Sequence, residues 1–484
     1  MKLLIRPAPE VTIKSKPVRR HQMRHLRQNI RKLLKQLDER IRVDGAWDRV
    51  VVTAPADAPD PALVIENLRR IPGISTIQEI AEFPLRGLDD MAERALAAFA
   101  GRLQGRSFAV RARRQGNHDF RSDQVNCHVG RVLLERSGAA RVDLKHPEVL
   151  VRIEIQQDSY HIAHHRHRGL GGYPLGSVES VMTLISGGYD SSVAAYLMLR
   201  RGIRSHFLFF NLGGTAHEVG VRQVVHYLWS RYGASHSAKF ISVPFEGVVA
   251  EIMRSVNHRH WGVVLKRQML RAAAEIAARN NAAGLVTGDA VAQVSSQTMT
   301  NLNVVDRACD QVVLRPLIAM DKEEIIRLAT EIGTEAFARN MPEYCGVISQ
   351  KPVTRAKLPR IESDEALMDP QALADAVAGR SECPVDQLMA PLVTPEEVEM
   401  VTTPALGDVI IDLRHPSEGE RSPLALTGNP VMKIPFYQLS EELATLPADR
   451  QYLLYCDRGT MSRLHAGHLR AAGYDNIRVY APSY

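Results

Sequence analysis

The chain has 484 residues, 45% of them hydrophobic and 24% charged, a soluble globular balance that excludes a disordered or fibrous polypeptide and predicts about three or four domains. Residues 1–7 are too short an apolar run for a secretory signal and no later stretch could cross a bilayer, so a cytoplasmic protein without membrane contact is expected. Five irregularly spaced cysteines without a C-x-x-C pair argue against a disulfide scaffold and a structural zinc site, and the formal charge of +7 suits an acidic partner without requiring one.

In chain order, Leu3, Leu4 and Ile5 read as a strand. Lys14, Lys16, Arg19, Arg20, Arg24, Arg27, Arg31, Lys32 and Lys35 then crowd a segment whose Ile30, Leu33, Leu34 and Leu37 fall at helical spacing. Val50–Thr53 pairs with the first strand in a small α/β unit over residues 1–60. Residues 61–165 alternate strands and helices, with residues 108–113 and 149–155 as strands. Between them, Arg111, Arg113, Arg114, His118 and Phe120 put cations beside an aromatic ring, a mixture that grips phosphate and stacks on a base. Surface arginines around a core phenylalanine are the competing account. His161, His164, His165 and His167 lack a second ligand cluster, so a polar connector is expected rather than a metal site.

Glycines at 169, 171, 172 and 176 mark a junction. Beyond it, strand, glycine turn and helix repeat as in a doubly wound parallel sheet, with strands at residues 181–185, 205–210 and 283–287. Ligands of such sheets sit at the carboxyl ends of the strands. Residues 361–400 read as a linker with no clear strand, and residues 401–484 as a smaller α/β unit.

Directly after the strand ending at Ile185 comes Ser186-Gly187-Gly188-Tyr189-Asp190-Ser191-Ser192, then a helical run. The glycines let the backbone approach an anion, while hydroxyls and helix N-terminal amides point donors at it. The lysine of G-x-x-x-x-G-K-[ST] is missing, which argues against a hydrolytic P-loop NTPase. Asp190 is placed to help hold Mg²⁺ or to order the loop. Near the other end, the strand at residues 452–455 delivers Cys456 into a tight turn before a helix, where amide donors favour thiolate over thiol.

The S-G-G-x-D-S motif resembles the PP-loop ATP pyrophosphatases, which adenylate a carbonyl-type oxygen. The Cys456 loop, with Asp412-Leu413-Arg414 on an early strand, resembles rhodanese-like domains, which carry sulfur as a persulfide. Asp457 stands where thiosulfate-using members commonly have arginine, so a cysteine desulfurase is the expected donor. Together these motifs resemble the tRNA 4-uridine sulfurtransferase (ThiI) family in its long form.

That resemblance implies an α/β multidomain protein: a ferredoxin-like domain (1–60), a THUMP domain (61–165), a PP-loop adenylation domain (176–360) and a rhodanese-like domain (401–484). It implies ATP and Mg²⁺ as cofactors and tRNA, a desulfurase and the thiamine sulfur-carrier protein as partners, and it admits a homodimer. By it, Leu184, Ile185, the 186–192 loop, Lys266, Gly288, Gln297 and Lys322 contact ATP, and Cys345 forms a transient disulfide with Cys456. Asp289 and Ala292 depart from the more usual Glu and Gly. Two other readings stay open: an amidating synthetase with the same loop, and a tRNA-binding sulfur relay with a vestigial ATP site.

Overall fold

The computed structural model describes residues 1–55, 57, 60–212, 214–339, 341, 352–389, 398–414, 423–424, 428–434, 439–443, 445–456, 460–471 and 473–482. The chain falls into two units, residues 1–177 with 200–202, and residues 178–199 with 203–484.

The first unit opens with β1 (Lys2–Pro7), α1 (Pro9–Thr12), α2 (Lys16–Lys35), β2 (Arg42–Gly45), β3 (Val50–Thr53), α3 (Pro61–Arg69) and β4 (Ile74–Pro84). Helix α2 forms because Met23, Leu26, Ile30 and Leu34 recur on one face and bury against the sheet. Its basic face is not wholly given to solvent: Arg27 donates to the Gly45 carbonyl at 3.0 Å and Arg31 to the Val43 carbonyl at 2.8 Å.

The unit continues with α4 (Leu88–Leu103), β5 (Ser107–Arg114), α5 (Ser122–Arg136), β6 (Arg141–Val142), β7 (Val149–Ile155) and β8 (Ser159–Arg168). All eight strands join one sheet in the order β2-β3-β1-β4-β8-β7-β5-β6. Because β4 pairs with β1 on one side and β8 on the other, the expected boundary at residue 60 cuts through a continuous sheet. Strand β7 alternates: Val149, Val151, Ile153 and Ile155 enter the core under α4 and α5, and Arg152 and Glu154 take the other face.

The histidine-rich segment is not a connector but β8, paired antiparallel with β4 and β7. Alternation and a register shift at Glu79/Ile80 send its histidines to different partners: His164 stacks on Phe99 and His167 meets Glu79 at 2.7 Å. The polar side chains hid the period-2 pattern.

In the second unit, β9 (Val181–Leu184), α6 (Tyr189–Arg200), β10 (Ser205–Asn211), α7 (Gly214–Leu228), β11 (Lys239–Pro244), α8 (Glu246–Ser255), α9 (Trp261–Arg279), β12 (Gly284–Val286), α10 (Met299–Asp306) and β13 (Val312–Leu314) follow in turn. After them come α11 (Lys322–Ile332), α12 (Glu335–Arg339), α13 (Leu358–Glu365), α14 (Pro370–Ala378) and β14 (Ser381–Pro384). The sheet order is β13-β12-β9-β10-β11-β14, parallel except for β14. Strand order reverses between β9 and β12, which opens a crevice at their carboxyl ends.

Residues 361–400 are therefore not a linker throughout. Ile361, Ala376 and Val377 bury in the core of this sheet, and β14 closes its edge against β11. Four residues ending in proline carry too little alternation to read as a strand.

The C-terminal part holds β15 (Met400–Val401), β16 (Val409–Asp412), β17 (Val431–Lys433), α15 (Leu439–Leu443), β18 (Tyr452–Tyr455), α16 (Thr460–Ala471) and β19 (Ile477–Tyr480). Its parallel sheet, β15-β19-β18-β16-β17, places β18 at the centre. No helix among the described residues is long and apolar enough to cross a membrane.

Candidate active site

Strand β9 ends in Leu184, and Ile185 continues the ladder by donating to the Leu208 carbonyl at 2.9 Å. The chain then turns through Gly187 at φ +83°, a conformation that excludes most side chains. Ser191 holds the turn: its Oγ accepts from the Ser186 amide at 3.1 Å and donates to the Gly188 carbonyl at 3.3 Å, where Ser192 Oγ also donates at 2.8 Å. A Cβ at Gly188 would meet only Ser186 Oγ, at 3.6 Å. The loop is thus braced from within and has room for an anion beside Gly188.

Asp190, in the first turn of α6, is held between two donors. Lys322 Nζ lies 2.8 Å from Oδ1, and Gln293 Nε2 donates to Oδ2 at 2.8 Å. The crevice explains the meeting, since Gln293 follows β12, Lys322 opens α11, and Asp190 follows β9. Gly288 makes it possible: a Cβ there would lie 2.8 Å from the Asp190 carbonyl carbon and the Ser191 nitrogen.

Beside this lies a buried charged cage around Asp289. Lys266 Nζ sits 2.5 Å from Oδ1 and Gln297 donates to the same oxygen at 3.0 Å, while Thr287 Oγ1 and Arg315 Nε reach Oδ2 at 2.7 and 3.2 Å. Burial alone would raise the Asp289 pKa, but Lys266, Thr287 and Arg315 outweigh it and hold the carboxyl well below its ordinary range. Lys266, Gly288, Gln297, Lys322 and the 186–192 loop therefore share one crevice. Gln293 and Arg315 were not among the expected ATP contacts, for both belong to loops with no spacing signal of their own.

Cys456 leaves the central strand β18 as a buried thiol, with Sγ accepting from the Ser462 amide at 3.3 Å and 3.4 Å from Ser462 Oγ. The strand beneath it is fixed by Asp412 and Arg414, both about 4% exposed. They are bonded at 2.7 and 2.9 Å, and the guanidinium lies over Tyr455 at 5.1 Å. Cys345 and Asp457 lie outside the described residues.

In the first unit, Arg111, Arg113 and Arg114 are exposed on β5. Phe120 packs against the α4/α5 core, and the His118 ring sits 3.1 Å from the Gln156 carbonyl, so the aromatic half of the expected loop serves the fold. Arg152, paired with Arg111 across β5 and β7, extends the cationic face. Burial and the neighbouring Arg166, Arg113 and Arg111 push its pKa down. Strict alternation in β7 was the signal that could have singled it out.

A braced glycine loop at the switch point of a doubly wound parallel sheet defines the class: PP-loop nucleotide-binding domains. Family models agree in detail, matching "ThiI ferredoxin-like domain" at residues 2–77, "THUMP domain" at 86–164 and "Thiamine biosynthesis protein (ThiI)" at 176–369. The tRNA sulfurtransferase of Marinobacter nauticus is 72% identical and that of Pseudomonas putida 49%, each over the whole of both chains. The chain belongs to the tRNA sulfurtransferase (ThiI) family. A solved 4-thiouridine synthetase in complex with RNA and bound ATP shares the fold at TM-score 0.70 and 24% identity, covering 79% of this chain and 99% of that one.

Proposed function

We propose that this chain uses ATP to activate the O4 oxygen of uridine at position eight of tRNA and replaces it with sulfur carried on Cys456, giving 4-thiouridine. The observation that carries the reading is Asp190 fixed between Lys322 and Gln293 at the mouth of the braced glycine loop.

Uracil oxygen is a poor leaving group until it is joined to AMP. Attack of O4 on the α-phosphorus forms the O–P bond and expels pyrophosphate. The loop amides and Lys322 are suited to the charge that gathers on that leaving group. Asp190 fits as the single protein carboxylate of a Mg²⁺ that takes its other ligands from phosphates and water. The ion would neutralise phosphate charge.

The terminal sulfur of a Cys456 persulfide then reaches C4 by one of two routes. It attacks C4 directly, giving a C4–S–S–Cys456 linkage whose S–S bond the Cys345 thiolate then breaks at the Cys456 sulfur, or it leaves as hydrosulfide when the Cys345 thiolate attacks the inner sulfur and then attacks C4. In both, AMP departs with its electron pair and one Cys345–Cys456 disulfide remains, which two electrons from an external dithiol must reduce before the next turnover. Asp457, a carboxylate beside the thiol, favours a cysteine desulfurase over dianionic thiosulfate as the donor. The exposed arginines of β5 are assigned to tRNA phosphates. The "Thiamine biosynthesis protein" description of the matching family model supports a second role, supplying sulfur to the thiazole sulfur-carrier protein. An amidating synthetase would leave Cys456 and the first unit without a task.

The test follows labelled sulfur from cysteine into tRNA with a purified desulfurase and ATP. The parent chain is expected to thiolate uridine eight, and Asp190→Ala and Cys456→Ala are each expected to abolish labelling. Full labelling by Asp190→Ala would remove the adenylation step, and full labelling by Cys456→Ala the carrier. Thiamine-independent growth of a strain lacking the protein would remove the second role.

A further inference from the structure

One methionine lies against the phosphate loop from outside the motif. Built Cβ atoms at Gly187 and Gly220 would lie 2.6 and 3.0 Å from Met341 Cε, and 3.2 and 3.4 Å from its Sδ. The thioether therefore occupies a slot that exists only because both positions lack side chains. One wall of the slot is the left-handed turn of the phosphate loop, and the other is α7, whose Val221 also closes on Gly187 at 3.2 Å. An unbranched, polarizable side chain suits so narrow a space, where a branched one would collide.

The segment bearing Met341 is itself anchored to the same elements. Phe337 of α12 packs on Tyr227 of α7 with centroids 5.0 Å apart, and Tyr227 donates to the Ile332 carbonyl at 3.2 Å. Arg339 pairs with Glu335 at 2.7 Å, and Lys322 sits over the Tyr189 ring at 5.5 Å. The Met341 amide donates to the Ala338 carbonyl at 3.2 Å, which turns the side chain back toward the loop.

We infer that Met341 is a positioning residue for the nucleotide: by filling the slot between Gly187 and Gly220 it fixes the phosphate loop against α7 in its anion-binding conformation. This deepens the proposed adenylation site and rests on it. A loop freed from the wedge samples conformations in which its amides do not converge, and nucleotide affinity falls by the fraction of time spent there.

The experiment measures binding of Mg-ATP to the full chain by titration calorimetry, with tRNA binding and thermal melting as controls. Met341→Ala empties the slot, and Gly220→Ala crowds the thioether, whose methyl must shift by a few tenths of an ångström. Each is expected to weaken Mg-ATP binding about tenfold, with tRNA affinity unchanged. In the double variant the new Cβ enters space already vacated, so the losses are expected to be clearly less than additive. Should Met341→Ala melt early, Met341→Leu carries the test, with an expected loss of about threefold because its branch does not fit the slot. ATP affinity within about twofold of the parent in the folded variants, or strictly additive losses, overturns the inference. If the parent chain itself binds no Mg-ATP, the proposed site fails instead.

Discussion

Lys322 and Asp190, 132 residues apart in sequence, meet at 2.8 Å across the mouth of the phosphate loop. The pair is half open to solvent, so its worth to stability is small. In the proposed adenylation its value is positional, because a lysine parked on the loop's own acid would be ready to take phosphate charge as pyrophosphate leaves. Lys322→Met is expected to lower single-turnover thiolation by about 10²–10³-fold with tRNA affinity unchanged. Rapid-quench measurement of pyrophosphate release checks this, and a rate near the parent's would take the lysine out of the reaction.

Gly288 is where β12 touches the phosphate loop. A Cβ would sit 2.8 Å from the backbone of both Asp190 and Ser191, and backbone cannot swing aside as a side chain can. Gly288→Ala is expected to cost about 1–3 kcal/mol of stability and to weaken Mg-ATP binding by displacing Asp190. Urea unfolding and calorimetry read the two effects separately. A variant that melts and binds like the parent would show that the contact yields freely.

Ala292 has φ +63°, one of two non-glycine residues with positive φ among the described residues. The left-handed conformation costs an L-residue about 1 kcal/mol. Ala292→Gly is expected to relieve that strain. The gain is partly cancelled by the greater freedom of glycine in the unfolded chain, which leaves a net stabilisation of about 0.5 kcal/mol. A urea midpoint that falls instead would mean that the Ala292 methyl group contributes packing worth more than the strain.

The motif at 186–192 was legible in sequence because it follows a buried apolar strand, and loops after parallel strands converge at a switch point. Lys322 drew notice as a cation after a strand-like run, whereas Lys266, Gly288 and Gln297 were placed only by the resemblance to the family. What failed was structure whose signal is long-range or masked by polarity. Four residues, 381–384, become a strand only by pairing with β11. The histidines of β8 obscured a central strand, and Phe120, partly buried against the α4/α5 core, follows the competing account, between which and base stacking no local pattern decided. Gln293 and Met341 act through contacts made from irregular segments, where no period exists to point at them.

Asp289 ties the crevice to pH. Its folded pKa is depressed, so its contribution to stability is fully present above the ordinary carboxylate range, near pH 4. It is lost as pH falls from there toward the folded value, because the unfolded chain binds the proton first. Through this group the midpoint of urea unfolding is expected to hold steady from about pH 8 to pH 5 and to drop below about pH 4. Asp289→Asn leaves Lys266 without a counter-charge and Arg315 with Asp306 alone, and should cost about 3–5 kcal/mol at pH 7. It should also flatten the acid limb, and an unchanged acid limb would mean that other carboxylates dominate it.

Arg152 lies among Arg111, Arg113 and Arg166, where burial and like charges work against its protonated form. Glu154 on the same strand offsets part of their repulsion, and in the proposed function RNA phosphate would offset the rest. Arg152→Ala should therefore leave thermal stability unchanged or slightly raised while weakening tRNA binding. Because each phosphate contact releases counterions, the slope of log affinity against log salt concentration should become shallower by about 0.7–0.9. Thiolation at saturating tRNA should stay at the parent rate. Filter binding across a potassium chloride series measures the slope. An unchanged slope with weaker binding would mean that Arg152 supports the sheet and does not touch phosphate.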